Sequence, residues 1–397
     1  MNQALRQTRP AVIFIVLLGI VSLLADMTYE GARGIVGAYL GQLGATAVAV
    51  GLVAGLAELL GYVLRLVFGL LTDRLRRPWD LVILGYVVNL GAVPLLALAG
   101  RWEAAVVLVI AERVGKAIRT PGRDAMLAHA SATTGHGWGF GLHEALDQIG
   151  AVLGPLLVAA IVAARGEMRP ALAALAIPAA LALAVLLFAR LRYPNPSHLG
   201  LAAALPETTG FSRRYWIYLG GAALFAAGFV DFALVAYHVD RAAIADPSVI
   251  ALFYALAMGV DAAAALLCGM LFDRIGFAVV PLSAAVSAIA APLLFLGGGE
   301  LVLLGVALWG FGLGAQESVL RAGIAALAPP SRRGAAYGTF SALFGIAWFA
   351  GSALFGLLYG ASIVALVAAS IGLQLAATAV LTLAARANGT PSAPAAG

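Results

Sequence analysis

Charge is scarce in this chain. Asp, Glu, Lys and Arg make up 11% of its 397 residues, where soluble domains carry about 25%. Lysine is almost absent: Lys116 stands alone among 24 basic residues. The single cysteine, Cys268, excludes an internal disulfide. No Gly-xxxx-Gly-Lys-Ser/Thr phosphate loop occurs, which argues against ATP-driven work within this chain. His-Glu-xx-His and Gly-x-Ser-x-Gly are also missing, which argues against a membrane enzyme. No Cys/His cluster accompanies His143, Glu144 and Asp147, so neither a metal site nor a cofactor is expected. What the chain has instead is 62% hydrophobic residues and a mean hydropathy of +0.99. Its net charge of +5 comes from arginines in short loops. That pattern orients a chain in a bilayer and does not indicate nucleic acid as a partner.

Apolar runs of twenty residues or more match the length a helix needs to cross about 30 Å of hydrocarbon. Hydropathy predicts twelve such spans, near 11–41, 46–71, 79–100, 103–121, 139–165, 169–190, 214–241, 247–272, 277–297, 300–328, 334–360 and 361–386. The first is too long for a cleavable signal peptide and is read as a retained helix. The longest polar gap divides the chain into a six-helix bundle at 1–190, a linker at 191–213 and a second six-helix bundle at 214–386. The tail at 387–397 is Ala/Pro/Gly/Ser-rich and is expected to be disordered.

The two bundles repeat one another. Gly69-Leu-Leu-Thr-Asp73-Arg74 returns as Gly269-Met-Leu-Phe-Asp273-Arg274, each copy closing an apolar run. Trp138-Gly-Phe-Gly after one loop parallels Tyr337-Gly-Thr-Phe after another, in nearly the same register. A direct repeat of two six-helix units is the architecture of many secondary transporters. With the N-terminus inside, sixteen Arg and Lys fall on the cytoplasmic face and four (Arg101, Arg165, Arg169 and Arg241) on the other. Both termini are therefore expected to be cytoplasmic.

Ionised groups inside a membrane are costly and usually face a cavity or a partner. Here they concentrate in particular helices: Asp26, Glu30 and Arg33 in the first; Glu58 and Arg65 in the second; Glu112, Arg113 and Lys116 in the fourth. In the second half they are Asp231 and His238, then Asp261, then Glu317 and Arg321. Helices 3, 6, 9 and 12 carry none in their interiors and read as lipid-facing supports. Asp26, Glu30 and Arg33 share one helix face by spacing. They are either proton-titrating carboxylates or a fixed ion-pair network. Glu58 and Asp261 have no charged neighbour one turn away, so each is a candidate proton carrier or a neutral acid bonded across an interface; Asp231 is similar. Arg33, Arg113 and Arg321 could bind an anion or neutralise Asp26, Glu30, Glu112 and Glu317. Arg65, Arg119, Arg123, His143 and Asp147 lie nearer the cytoplasmic ends and read as gating groups. Trp138, Trp309 and Trp348 read as interfacial or packing aromatics.

Together these residues resemble the major facilitator superfamily over essentially the whole chain. Gly69-Leu-Leu-Thr-Asp73-Arg74-Leu-Arg-Arg77 is similar to the family's signature between helices 2 and 3, with Arg76 in place of the usual second glycine. The resemblance implies a cytoplasmic latch built from Gly69, Asp73, Arg74 and Arg77, with Gly269, Asp273 and Arg274 as its second copy. Arg113 occupies the place of the family's buried arginine implicated in proton coupling, followed by Lys116-Ala117 where Gln-Gly is usual. Gly150-Ala-Val-Leu-Gly154-Pro155 resembles the helix 5 signature of proton-coupled exporters. The fold implied is all-α, with twelve helices in two pseudo-symmetric bundles. The function implied is proton-coupled export of a small molecule by alternating access, from a monomer in a bacterial inner membrane. Anion uptake by symport, or a lipid-handling or signalling protein on the same fold, are the alternatives.

Overall fold

The computed structural model describes residues 2–75, 78–131, 136–194, 210–328 and 333–386. Among them the chain is almost entirely helical, and twelve helical passes follow the expected order. The first half holds α1 (Asn2–Gln42), α2 (Ala47–Leu75), α3 (Pro78–Leu95), α4 (Trp102–Ser131), α5 (His136–Arg165) and α6 (Met168–Arg192). The second half holds α7 (Arg213–Arg241), α8 (Pro247–Ile275), α9 (Val279–Ser287 with Ala290–Leu296), α10 (Glu300–Leu327), α11 (Arg333–Ala361) and α12 (Ile363–Arg386). α4 is the most charged of these helices, and α8 runs into α9 through a short 3-10 turn at Gly276–Ala278. The tail at 387–397, most of the linker, and Arg77 lie outside the described residues.

Helix α4 departs from its expected end. The fourth span is expected to end near 121, yet the helix continues through Pro121 to Ser131. Packing overrides the proline. Gly85 of α3 and Gly115 of α4 each lie against the other helix's backbone, and the Thr120 hydroxyl donates to the Lys116 carbonyl at 2.6 Å. Before the proline, Arg119 lies fully inside the protein.

The packing pattern repeats in both halves. α1 packs on α5 and α6 as α7 packs on α11 and α12, and α2 packs on α4 as α8 packs on α10. The seam between halves has the same symmetry: α2 packs against α11, and its counterpart α8 against α5. Exposed Leu, Ile, Val and Phe side chains cover the outer surfaces of α3, α6, α9 and α12, including Val87, Phe188, Leu282 and Leu383. Such a surface suits hydrocarbon and not water.

One face carries the α2–α3 and α8–α9 turns and is termed the loop face; the other is the far face. At the loop face, Gly276 ends α8 with φ +63, a left-handed conformation that favours glycine. At the far face the halves are sealed. Gly37 of α1 lies so close to the Ala233 carbonyl of α7 that a Cβ would overlap it, and Gly41 faces the Tyr237 ring. Gly51 and Gly55 of α2 nest against Ser352 and Phe349 of α11. Gly37→Val is expected to pry this seal open. In a Cys268→Ser background, a cysteine at Tyr237 should then become reactive to a polar thiol reagent from the far face. Unchanged reactivity would contradict the seal's dependence on Gly37.

α7 is not continuous. It runs as Arg213–Gly228 and Phe232–Arg241, with extended backbone at Phe229 and Asp231 between. The break is held by polar contacts: Asp231 accepts from the Ala233 amide at 2.9 Å, and Trp309 Nε1 donates to the Val230 carbonyl at 2.7 Å. The far-face piece, Phe232–Arg241, packs on α1 and α2.

Candidate functional site

A cavity of about 720 Å³ lies between the halves. It runs from the middle of the bundle to the loop-face ends of α4, α5 and α11, where Asp124, Phe140 and Tyr337 line it. Glu144, Glu317 and Arg321 are exposed within it, so it opens at the loop face while the glycine seams close it at the far face.

The wall from the first half is a charge network. Glu58 of α2 accepts from two guanidiniums, Arg33 of α1 and Arg113 of α4, the latter at 2.8 Å. Arg113 Nε also reaches Glu112 at 3.4 Å, and Asn89 Nδ2 donates to Glu112 at 2.8 Å. Glu30 receives Arg33 at 3.5 Å and Lys116 at 3.9 Å. The Tyr254 hydroxyl, from the second half, donates to Glu30. Glu58 is therefore not the unpartnered acid its own helix implies. Its partners come from α1 and α4, which spacing along α2 cannot reveal.

Asp26 stands differently. It accepts a hydrogen bond from Tyr29 one turn along α1, and no Lys or Arg lies within ion-pair distance among the described residues. Lys116 sits above the Tyr29 ring, 4.0 Å from its centre, and is not within ion-pair distance of Asp26. Arg119 donates to the Tyr86 hydroxyl at 3.0 Å and stacks over that ring at 4.3 Å. It belongs to the buried α3–α4 core and does not line the cavity. Arg123 pairs with Asp124 at 2.8 Å, reaches Ser22 at 3.1 Å and approaches Asp147 at 4.0 Å. His143 completes this group, 3.8 Å from Asp147 and 3.3 Å from Ser22.

The wall from the second half is sparser. Asp261 of α8 is 2% exposed. Its Oδ2 accepts from Gln148 of α5 across the seam at 3.4 Å, while its Oδ1 has no hydrogen-bond partner among the described residues. Glu317 and Arg321 form no ion pair, although their i, i+4 spacing pairs them on an α-helix. The reason is local: Gln316–Leu320 is a turn of π-helix, which inserts a residue and breaks the four-residue alignment. Asp231 caps the second piece of α7 and accepts from Trp348 Nε1 at 3.2 Å. Trp348 is thus a hydrogen-bonding wall residue and more than a packing aromatic. Trp348→Phe should cost about 1 kcal/mol and raise amide exchange at Phe229–Asp231. Unaltered exchange there would deny the bond a role in holding the break.

Gly150 and Gly154 lie against the Leu23 and Met27 carbonyls of α1, and Pro155 continues within α5. These residues bring α1 and α5 into close contact behind Asp26 and Glu30. Arg65 stands near the cavity mouth, 5.7 Å over the Tyr62 ring. At the loop face Arg74, Asp273 and Arg274 are exposed and make no ion pair among the described residues, while Gly69 and Gly269 lie on α2 and α8 close above the turns. The uncharged partners Tyr29, Asn89, Gln148 and Tyr254 were not singled out from sequence. Only Tyr29 carries a local signal, its i+3 spacing from Asp26.

Two six-helix units, packed by a symmetric seam around a charged cavity that opens at one face, define a membrane transporter of small molecules. Residues 18–352 match the Major Facilitator Superfamily model, and the chain belongs to that family. An uncharacterized protein of Mycobacterium tuberculosis is 42% identical over 385 residues, covering 94% of each chain. An uncharacterized MFS-type transporter of Methanocaldococcus jannaschii is 37% identical over 141 residues, 36% of this chain and 35% of its own. Among solved structures, a bacterial homolog of the human lysosomal transporter Spinster, in an inward-facing and unoccupied conformation, superposes with a TM-score of 0.72 at 15% identity, covering 95% of both chains. A POT family transporter in complex with 5-aminolevulinic acid gives 0.75 at 12% identity, covering 93% of this chain and 94% of its own. At those identities the likeness concerns the fold. The protein is a multi-pass membrane transporter and not an enzyme.

Proposed function

We propose that this protein exports its cargo in exchange for protons, from a single chain in a bacterial inner membrane, with the loop face cytoplasmic. One observation carries the reading: Asp26 and Asp261 face one cavity from opposite halves, and neither has a basic partner within ion-pair distance among the described residues. A carboxylate free of a fixed cation can exchange a proton for a ligand; one clamped by arginines cannot do so without breaking the clamp. Of the candidate carriers Asp26, Glu30, Glu58, Asp231 and Asp261, the proton-coupling role is therefore assigned to Asp26 and Asp261, with Glu30, Glu58, Glu112, Arg33 and Arg113 as the network that braces α1, α2 and α4.

In the state open to the loop face, the deprotonated acids accept the cargo. Rocking of the halves then closes the loop face, where Asp73, Arg74 and Arg77 approach the second bundle while Asp273 and Arg274 approach the first. Opening of the glycine seams exposes the cavity to the far side, where protons displace the cargo. Anion uptake is weakened because Arg33 and Arg113 already hold Glu58 between them. Proteoliposomes with an imposed pH gradient test the proposal. Candidate cargo should accumulate against its gradient, opposite to proton flow. Accumulation that persists when the gradient is collapsed by an ionophore would refute the coupling.

A further inference from the structure

We infer that the cargo is an organic cation with an aromatic or bulky apolar body, its charge seated between α5, α8 and α10 and its body lying along α11. This rests on reading the central cavity as the transport site. Eight Asp and Glu line that cavity against five Arg and Lys. Most of the basic groups are spent on fixed partners: Arg33 on Glu58 and Glu30, Lys116 on Glu30, and Arg123 on Asp124. Among the described residues, the lining carboxylates without an ion pair are Asp26, Glu144, Asp261 and Glu317. Against them stand Arg321 and Arg65, both toward the loop-face mouth.

Three of those acids converge. Gly314 of α10 lies against the Asp261 carbonyl of α8, which brings Glu317, one turn further, beside Asp261. Glu144 stands one turn from Gln148, the residue that bonds Asp261. Asp261 is nearly completely buried and still has a free Oδ1. A buried, unsatisfied carboxylate oxygen is costly, and a cation entering the cavity would supply what it lacks. Arg321 lines the same cavity and makes no ion pair with Asp261, Glu144 or Glu317 among the described residues.

The apolar body has a matching wall. Phe340, Phe344 and Trp348 recur every fourth residue on α11, with ring centres 5.2 and 5.7 Å apart, and Tyr62 of α2 meets Phe344 edge-on at 5.6 Å. All four line the cavity. Aromatic faces attract cations and pack apolar groups, so the ladder serves both parts of such a molecule. A cavity of about 720 Å³ is of ligand size.

Tetraphenylphosphonium and tetraphenylborate share shape and aryl surface and differ in charge. Their binding to the purified wild-type protein, measured separately by equilibrium dialysis at fixed pH, tests the inference. The phosphonium should bind the more tightly. Asp261→Asn should weaken it about tenfold or more, the scale of losing a charged partner, and Phe344→Ala should weaken it too, with borate binding unaltered by Asp261→Asn. Glu317→Gln, at an exposed position, gives the same reading should Asp261→Asn fail to fold. Equal affinity for the two ions, absence of phosphonium binding, or undiminished binding in the acid variants would overturn the assignment. Because binding at equilibrium needs no gradient, a failure here is distinct from a failure of proton coupling, which the proteoliposome experiment reads.

Discussion

Replacing Glu58 by alanine will destabilise the protein by about 1–3 kcal/mol, the cost of leaving charged groups without a partner, because each arginine keeps a second carboxylate, Glu30 or Glu112. The substitution leaves the Arg33 and Arg113 guanidiniums facing each other with no carboxylate between them. Arg33→Ala will cost less. Its side chain is 24% exposed, and its removal leaves Glu58 still paired with Arg113. Thermal unfolding of the three proteins in one detergent compares them. Equal melting temperatures for wild type and Glu58→Ala would show that Glu58 braces nothing.

Asp26→Asn and Asp261→Asn will separate coupling from movement. Among the described residues neither acid is in an ion pair, so removing the charge breaks none; Asp26→Asn should still exchange cargo across proteoliposomes at equal pH, and Asp261→Asn should do so once the cargo concentration is raised to offset its weaker binding. Uphill accumulation under a pH gradient should vanish in at least one of the two. The pairing pattern gives the direction: a group that must bind and release a proton during each cycle cannot be replaced by an amide, whereas a hydrogen-bonding group can. If both variants concentrate cargo as well as wild type, the proton is carried elsewhere.

The twelve passes were legible because apolar length and polar interruption are local properties. So was the repeat, carried by Gly69–Arg74 and Gly269–Arg274. The helices that bear charge were also visible, since each ionisable residue in an apolar run stands out by itself. Pairing was not visible, because it depends on which helices meet. Glu58 looked solitary along α2 and is bridged from α1 and α4. Glu317 and Arg321 looked paired along α10 and are not, because a π-turn separates them. The end of α4 was placed too early for a related reason: the expected span stops near 121, at Pro121-Gly122, whereas the helix runs on to Ser131 and packs closely on α3 through Gly85 and Gly115. The neutral partners Tyr254 and Gln148 act across the seam, more than a hundred residues from Glu30 and Asp261.

The interruption in α7 has a consequence for how the molecule can be divided. The far-face segment Phe232–Arg241 is encoded with the second bundle yet rests on α1 and α2 of the first. A cut in the linker would therefore yield two fragments with interlocking edges, the second carrying ten residues of the first one's wall. Reassembly of such fragments must rebuild the Gly37–Ala233 contact before either bundle is whole. Chimaeras that exchange whole bundles between relatives would have to match at that short segment as well as along the seam.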